Sequence, residues 1–145
     1  FIQGMETLHL RMREHSANGQ KVAEHLSKHS MVERVAYPGT SSGLPKERAD
    51  KYLSNGCGGL LGFEIKGGHE AGKKFINSLE MLYHVANIGD SRSLAIHPAS
   101  TTHSQLNEEE LASGGISSGY IRLSIGLENI DDILADIDQA LAKAE

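Results

Sequence analysis

The run Tyr120-Ile121-Arg122-Leu123-Ser124 sets one cation between two apolar residues. Side chains on a strand alternate between faces, so Ile121 and Leu123 share one face and Arg122 projects from the other. Arginine is seldom buried without a partner. Two readings of Arg122 are open at this point. One is a solvated or structurally paired side chain. The other is a guanidinium fork that binds a carboxylate or phosphate through two parallel hydrogen bonds. A second concentration of reactive types is His97-Pro-Ala-Ser-Thr-Thr-His-Ser104, dense in hydroxyls and imidazoles with little to pack. Loops of this kind often surround ligands; Ser and Thr in them also bond their own backbone. A metal site on His97 and His103 needs a third ligand, and the spacing matches no zinc signature, so no metal is expected.

The other reactive groups carry less. His25 and His29 stand four apart on a helix but lack the intervening acid of a zincin. Cys57 sits among glycines, with no base or helix start marked to lower its pKa, and reads as a small packed thiol. Gly58-Gly59 and Gly67-Gly68 form neither phosphate-binding glycine pattern and mark strand ends.

The elements that position these groups follow from periodicity. Leu8, Met12, Val22 and Leu26 predict one long helix over 5–29. Residues 31–37 alternate as a strand stopped by Pro38-Gly39. A short helix over 46–53, a buried strand over 60–65 and a helix over 69–79 come next. Ala71, Phe75, Ile76 and Leu79 face inward on that helix. Short strands are expected near 82–86 and 93–96, joined by Asn87-Ile-Gly-Asp90. Asn107 with Glu110 makes a helix start, the strand 120–124 follows, and a helix over 129–143 closes the chain. Asp131 and Asp132 occupy the first turn of that helix. This order predicts an α+β fold of two layers, with helices on one face of a small, mostly antiparallel sheet.

Composition bounds the function. The chain has 145 residues, 23% of them charged, and a net charge of -5. That suits one domain, and no basic run tracks a phosphate backbone, so no nucleic-acid partner is expected. No apolar run approaches the ~20 residues of a membrane helix, so no membrane partner is expected. One cysteine makes no internal disulfide, which fits a reducing cytoplasm. The opening Phe1-Ile2-Gln3-Gly4 lacks an initiator Met, as expected of a piece of a longer protein. A non-enzymatic α+β interaction domain remains an alternative on these grounds.

Several phrases are more specific together. They are Gly4-Met-Glu-Thr-Leu8 with Leu10-Arg-Met-Arg-Glu-His15, Val35-Ala-Tyr-Pro-Gly39, Gly58-Gly59 with Phe63-Glu-Ile-Lys-Gly-Gly68, and Ala86-Asn-Ile-Gly-Asp90. Ser93-Leu94, His97-Pro-Ala-Ser-Thr-Thr-His103 and Ile121-Arg-Leu-Ser-Ile-Gly-Leu-Glu128 complete them. In order and spacing they resemble the C-terminal part of the Cys/Met-metabolism family of fold-type I pyridoxal-phosphate enzymes. That family includes cystathionine synthases and lyases, methionine γ-lyase and the O-acetylhomoserine sulfhydrylases. Asn87, where cystathionine-processing relatives carry serine, and the run from His97 to Gln105 followed by three acids resemble the sulfhydrylase branch.

The resemblance implies roles residue by residue. Arg122 would bind the substrate α-carboxylate, Asn87 would lie beside it, and Thr102 would line the same pocket, with Ser100 and His103 as neighbours. The implied reaction is a γ-replacement: O-acetylhomoserine loses acetate and gains sulfide or a thiol, giving homocysteine or methionine. Cystathionine γ-synthase and methionine γ-lyase are the alternatives within the family. The implied cofactor is pyridoxal 5'-phosphate in the complete enzyme. Its Schiff-base lysine would lie upstream: none of the eight lysines has the family's Ser-x-Thr-Lys context. This chain alone is therefore expected to hold no cofactor covalently and to be inactive. Residues 1–30 would lead from the cofactor domain, and 31–145 would form the C-terminal substrate-binding domain. The implied partners are that N-terminal cofactor domain, the amino-acid and thiol substrates, and further copies in a cytoplasmic homotetramer.

Overall fold

The structure, a computed structural model, describes residues 1–145, apart from the side chains at 108 and 112. Its order is α1 (Ile2–Glu6), α2 (Leu8–Leu26), β1 (Val32–Ala36), α3 (Gly43–Tyr52), β2 (Leu60–Ile65), α4 (Gly68–Ser78), β3 (Tyr83–His84), β4 (Leu94–Ile96), α5 (Glu108–Ser113), β5 (Tyr120–Ser124) and α6 (Ile130–Ala144). The five strands run β1-β2-β5-β4-β3 across one sheet. Every neighbouring pair is antiparallel except β3 with β4.

Alternation sorts the sheet into a face packed on the long helices and an opposite face, on which Leu94, Ile96 and Ser124 are also buried. Leu61, Phe63 and Ile65 of β2, and Ile121 and Leu123 of β5, pack into one core with α2, α4 and α6. The helices contribute Val22 and Leu26, Phe75 and Ile76, and Ile133, Ile137 and Leu141. Each such fully buried aliphatic or aromatic side chain stabilises the fold by about 1.5–3 kcal/mol relative to exposure. Phe63 and Phe75 meet edge to face with ring centroids 5.4 Å apart. The two-layer α+β architecture read from periodicity is the one observed, and β2 is an interior strand as its unbroken apolar run requires.

Several boundaries differ from the sequence reading: α3 starts at Gly43 rather than 46, and three others have a visible cause. The first helix is two: it breaks at Thr7, whose carbonyl accepts from the Leu10 and Arg11 amides. It also stops at Leu26, because Lys28 and His29 donate to His25 and Leu26, bonds one residue shorter than α-helical. Residues 82–86 pair only at Tyr83–His84. The Glu80, Met81 and Leu82 amides are drawn to the Asp136 carboxylate at 2.9, 2.9 and 3.0 Å. Beyond His84, the Val85 amide folds back on the Tyr83 carbonyl. The expected helix start at Asn107 forms reciprocally: Glu110 N–H donates to Asn107 Oδ1 and Asn107 N–H to Glu110 Oε2, both at 2.9 Å.

Candidate carboxylate-binding site

Ile121 and Leu123 are both completely buried in the helix-covered core, which turns Arg122 to the opposite face of the sheet. Its cross-strand partners are Gly62 on β2 and Ile96 on β4. Gly62 leaves a gap on that face, and Tyr120, two residues before Arg122, fills it. A Cβ at position 62 would collide with the Tyr120 hydroxyl and ring. Burial pushes the Tyr120 phenol up, against the opposing influence of Arg122 and Arg34, so it stays a neutral hydroxyl at physiological pH.

Arg122 is half-buried, and among the described residues it has no hydrogen bond or ion pair with any protein group. Arg34 and Arg92 differ from it. Arg34 on the same face is held by Glu64 at 2.6 Å, and Glu64 is the cross-strand partner of Tyr120. Arg92 is held by Asp90 at 3.3 Å and stacks on Tyr83 with its guanidinium 4.8 Å from the ring centre. The hydrogen bond from Arg92 holds the Asp90 carboxyl below its ordinary range. Glu64 and Asp90 are thus already paired, and the Arg122 guanidinium keeps its donors without a protein partner among the described residues.

The loop carrying Asn87 crosses the same face. Ser124 follows Arg122 by two residues, so it points the same way. Its Oγ accepts from the Gly89 amide at 3.3 Å. Gly89 has φ +77°, the left-handed conformation a side chain would strain, so the loop can turn there over the strand. Asn87 is exposed, and its Oδ1 accepts from the Ile88 amide at 2.9 Å, leaving its NH2 group free to donate outward.

The hydroxyl-rich loop divides into two parts. His97 is completely buried on the helix side. Its Nε2 donates to the Ser118 carbonyl at 2.8 Å, so Nδ1 is the acceptor for the Ser100 hydroxyl at 2.9 Å. Burial pushes the His97 pKa down, against the raising effect of the Ser118 bond, so the ring is neutral. A Cβ on Gly72 of α4 would lie 2.6 Å from His97 Nε2, so the ring rests on bare helix backbone. Ser100 therefore holds His97, and Thr101 bonds the His97 carbonyl at 2.8 Å. Thr102 and His103 bond each other at 2.8 Å, with Thr102 exposed. Among the described residues no three His, Cys, Asp or Glu side chains converge as metal ligands.

The structure brings Arg122 and the Asn87 loop to one face and records no contact of Thr102, Ser100 or His103 with Arg122. The contributions missed in the sequence are Ser124 and Tyr120, although the alternation that exposes Arg122 also places both beside it. Cys57 is half-buried against the core, as read.

A pyridoxal phosphate of the kind the resemblance implies needs a lysine amine. The lysines stand at 21, 28, 46, 51, 66, 73, 74 and 143, on helices or in turns next to α2 and β2. None lies on a strand or on the loops at 87–90 and 97–106. These surroundings suit a substrate carboxylate and do not suit covalent attachment of that cofactor.

Residues 1–142 match the family profile described as Cys/Met metabolism PLP-dependent enzyme. The chain is 57% identical over 142 residues to the O-acetyl-L-homoserine sulfhydrylase of Leptospira meyeri, covering 97% of this chain and 32% of that protein. It is 46% identical to the homocysteine synthase of Schizosaccharomyces pombe, over 99% of this chain and 34% of that protein. It is 47% identical to the L-methionine gamma-lyase of Pseudomonas putida, over 97% of this chain and 35% of that protein. A crystal structure assigned as an O-acetylhomoserine (thiol)-lyase from Campylobacter jejuni, which contains an N'-pyridoxyl-lysine-5'-monophosphate, superposes with TM-score 0.89 and 48% identity, covering 97% of this chain and 33% of that one. The chain thus spans about a third of the length of the relatives it matches.

Proposed function

We propose, from the premise that this chain belongs to the Cys/Met metabolism PLP-dependent enzymes, that it supplies the α-carboxylate site of an O-acetylhomoserine sulfhydrylase. The reaction would replace the acetate on the γ-carbon by sulfide or a thiol. Pyridoxal phosphate, when bound by the rest of such an enzyme, supplies an electron sink. The residues of this chain do a different job. The Arg122 fork takes both oxygens of the amino-acid carboxylate. The Asn87 side chain donates from the loop above, and Thr102 closes the outer wall. An amino acid held at its carboxylate has its Cα–H and γ-carbon in fixed directions, and such orientation is worth several kcal/mol of barrier.

The observation that carries the reading is a half-buried guanidinium with no acid partner among the described residues, on the sheet face opposite the α2, α4 and α6 core. The relative at 57% identity supports the sulfhydrylase branch. The methionine gamma-lyase from Pseudomonas putida, at 47%, supports the second reading, elimination from methionine. Turnover of O-acetylhomoserine with sulfide, against release of methanethiol from methionine, separates the two. The same reading places the complete enzyme in the cytoplasm as a homotetramer, which sedimentation of the full-length protein checks. Its third component is the longer N-terminal part that carries the cofactor.

The experiment is Arg122→Ala in the full-length enzyme. Loss of a charged, two-bonded contact should lower kcat/KM by about 100-fold, roughly 3 kcal/mol. Arg122→Lys keeps the charge but not the fork and should fall between. A kcat/KM unchanged in both overturns the assignment.

A further inference from the structure

After β5 the backbone passes through Ile125–Glu128, and this turn is held from two sides. From α2, His15 Nδ1 donates to the Ile125 carbonyl at 2.6 Å. Asn18 Nδ2 donates to the Gly126 carbonyl at 3.2 Å and the Glu128 carbonyl at 3.1 Å. From the other side comes the stretch that follows the Asn87 loop. The Leu127 amide donates to the Ser91 carbonyl at 2.8 Å, and a Cβ on Gly126 would collide with that carbonyl. The Glu128 carboxylate accepts from the Ser93 amide at 2.6 Å with one oxygen and from the Ser93 hydroxyl at 2.8 Å with the other. Ser93 Oγ in turn accepts from the Gly126 amide at 2.8 Å. Ser93 and Asn18 are 0% and 1% exposed, so these bonds have no water to replace them.

We infer that Glu128 is a positioning residue for the carboxylate site: through Ser93 it fixes the 87–90 loop at a set height over the strand that carries Arg122. The inference rests on the carboxylate reading above. The loop and the 91–93 stretch behind it are tied to β5 and its following turn by Gly89 on Ser124, by the Leu127 amide on the Ser91 carbonyl at 2.8 Å, and by the Gly126 and Glu128 bonds to Ser93. The Gly89–Ser124 bond is long, at 3.3 Å. The bonds of the Glu128 carboxylate to Ser93 are shorter and charge-assisted. The Leu127–Ser91 bond is a neutral backbone bond, so the Glu128–Ser93 clamp is the charged side-chain tie that anchors the base of the loop, and the long Gly89 bond follows it. Asn87 and Arg122 converge on one small anion only if the loop keeps its distance from the strand. Glu128 touches neither substrate nor cofactor in this account and acts through the loop alone.

The effect of substitution follows from the bonds. Glu128→Gln keeps an acceptor for the Ser93 amide but turns the second oxygen into a donor, so the Ser93 hydroxyl loses its acceptor. Glu128→Ala loses both. The test uses full-length holoenzyme and compares binding of an amino-acid inhibitor with that of its α-carboxamide. Glu128→Gln should raise KM about threefold and Glu128→Ala about tenfold, with kcat within about twofold, since a small displacement of a binding group is felt mainly where the group acts. In both variants the preference for acid over carboxamide should shrink, while cofactor absorbance stays wild type. Should the Ala variant not fold, the isosteric Gln variant still reports the preference. Arg122→Ala serves as the reference. If it abolishes the preference and Glu128→Gln retains the wild-type value, with only the melting temperature lowered, Glu128 is a structural residue and the inference is overturned. If Arg122→Ala itself retains the preference, the carboxylate reading fails and the inference falls with it.

Discussion

A guanidinium on a strand is unremarkable until its neighbours are counted. Arg34 and Arg92 have carboxylates within 2.6 and 3.3 Å, and Arg122 has none among the described residues. The projection of Arg122 was legible in the sequence, because two flanking apolar residues force it out of the core. The absence of a partner was not, since Glu64 is 58 positions earlier and its choice of Arg34 depends on sheet register. The hydroxyl loop shows the opposite limit: the density of Ser and Thr was visible, but which hydroxyls turn inward was not. Ser100 and Thr101 spend theirs on His97, a buried ring set on a bare stretch of α4. Gly62 belongs to this scale as well. Gly62→Ala should destabilise the fold by about 1–3 kcal/mol, because its methyl group meets the Tyr120 ring. Thermal melts should show most of that loss relieved when Tyr120→Ala is added. An unrelieved double variant would mean that the Tyr120 ring is not what position 62 accommodates.

Among the elements, the strongly periodic ones were readable from sequence alone. The α6 stripe Ile133, Ile137, Ala140 and Leu141 is buried throughout, and Asn129 caps the helix by accepting from Asp131 N–H at 2.8 Å. What escaped were ends decided by distant groups. β3 is short because Asp136, more than fifty residues later, takes three amides that a longer strand would have offered its neighbour. Burial would raise the Asp136 carboxyl, but the bonds from the Glu80, Leu82 and Met81 amides, with help from Gln139, outweigh it and hold the pKa below its ordinary value. Asp136→Ala leaves these amides without their acceptor and should cost about 2–4 kcal/mol in chemical denaturation. Asp136→Asn keeps an oxygen acceptor and should cost less; equal losses in the two variants would rule out the carboxylate as the holding group.

The whole molecule carries a net charge of -5 and exposes large apolar side chains at one end. Phe1 precedes α1, and Ile2, Met5, Leu8 and Met12 lie on α1 and the first half of α2. Only the second half of α2 belongs to the core, so the first half presents its apolar side chains to whatever covers it. No helix among the described residues is long and apolar enough to cross a membrane. Acid should act on the fold through two groups of the same sign. The His97 and Asp136 pKa values both lie lower in the folded chain than in the unfolded one. A lowered folded value gives stability that is present above the unfolded pKa and lost as pH falls through the folded one. Melting temperature should therefore begin to fall below the ordinary histidine range as His97 is forced to charge, and fall again below the ordinary carboxylate range. His97→Gln should abolish the first step and leave the second. A first step that survives in that variant would assign it to another group.

Whether Arg122 grips an amino-acid carboxylate is measured directly by a crystal structure of the full-length enzyme with a bound amino-acid inhibitor. Two guanidinium nitrogens of Arg122 should lie about 2.7–2.9 Å from the two carboxylate oxygens, with the Asn87 side chain donating to one of them. A carboxylate seated elsewhere, with Arg122 turned to water or paired to a protein acid, would contradict it.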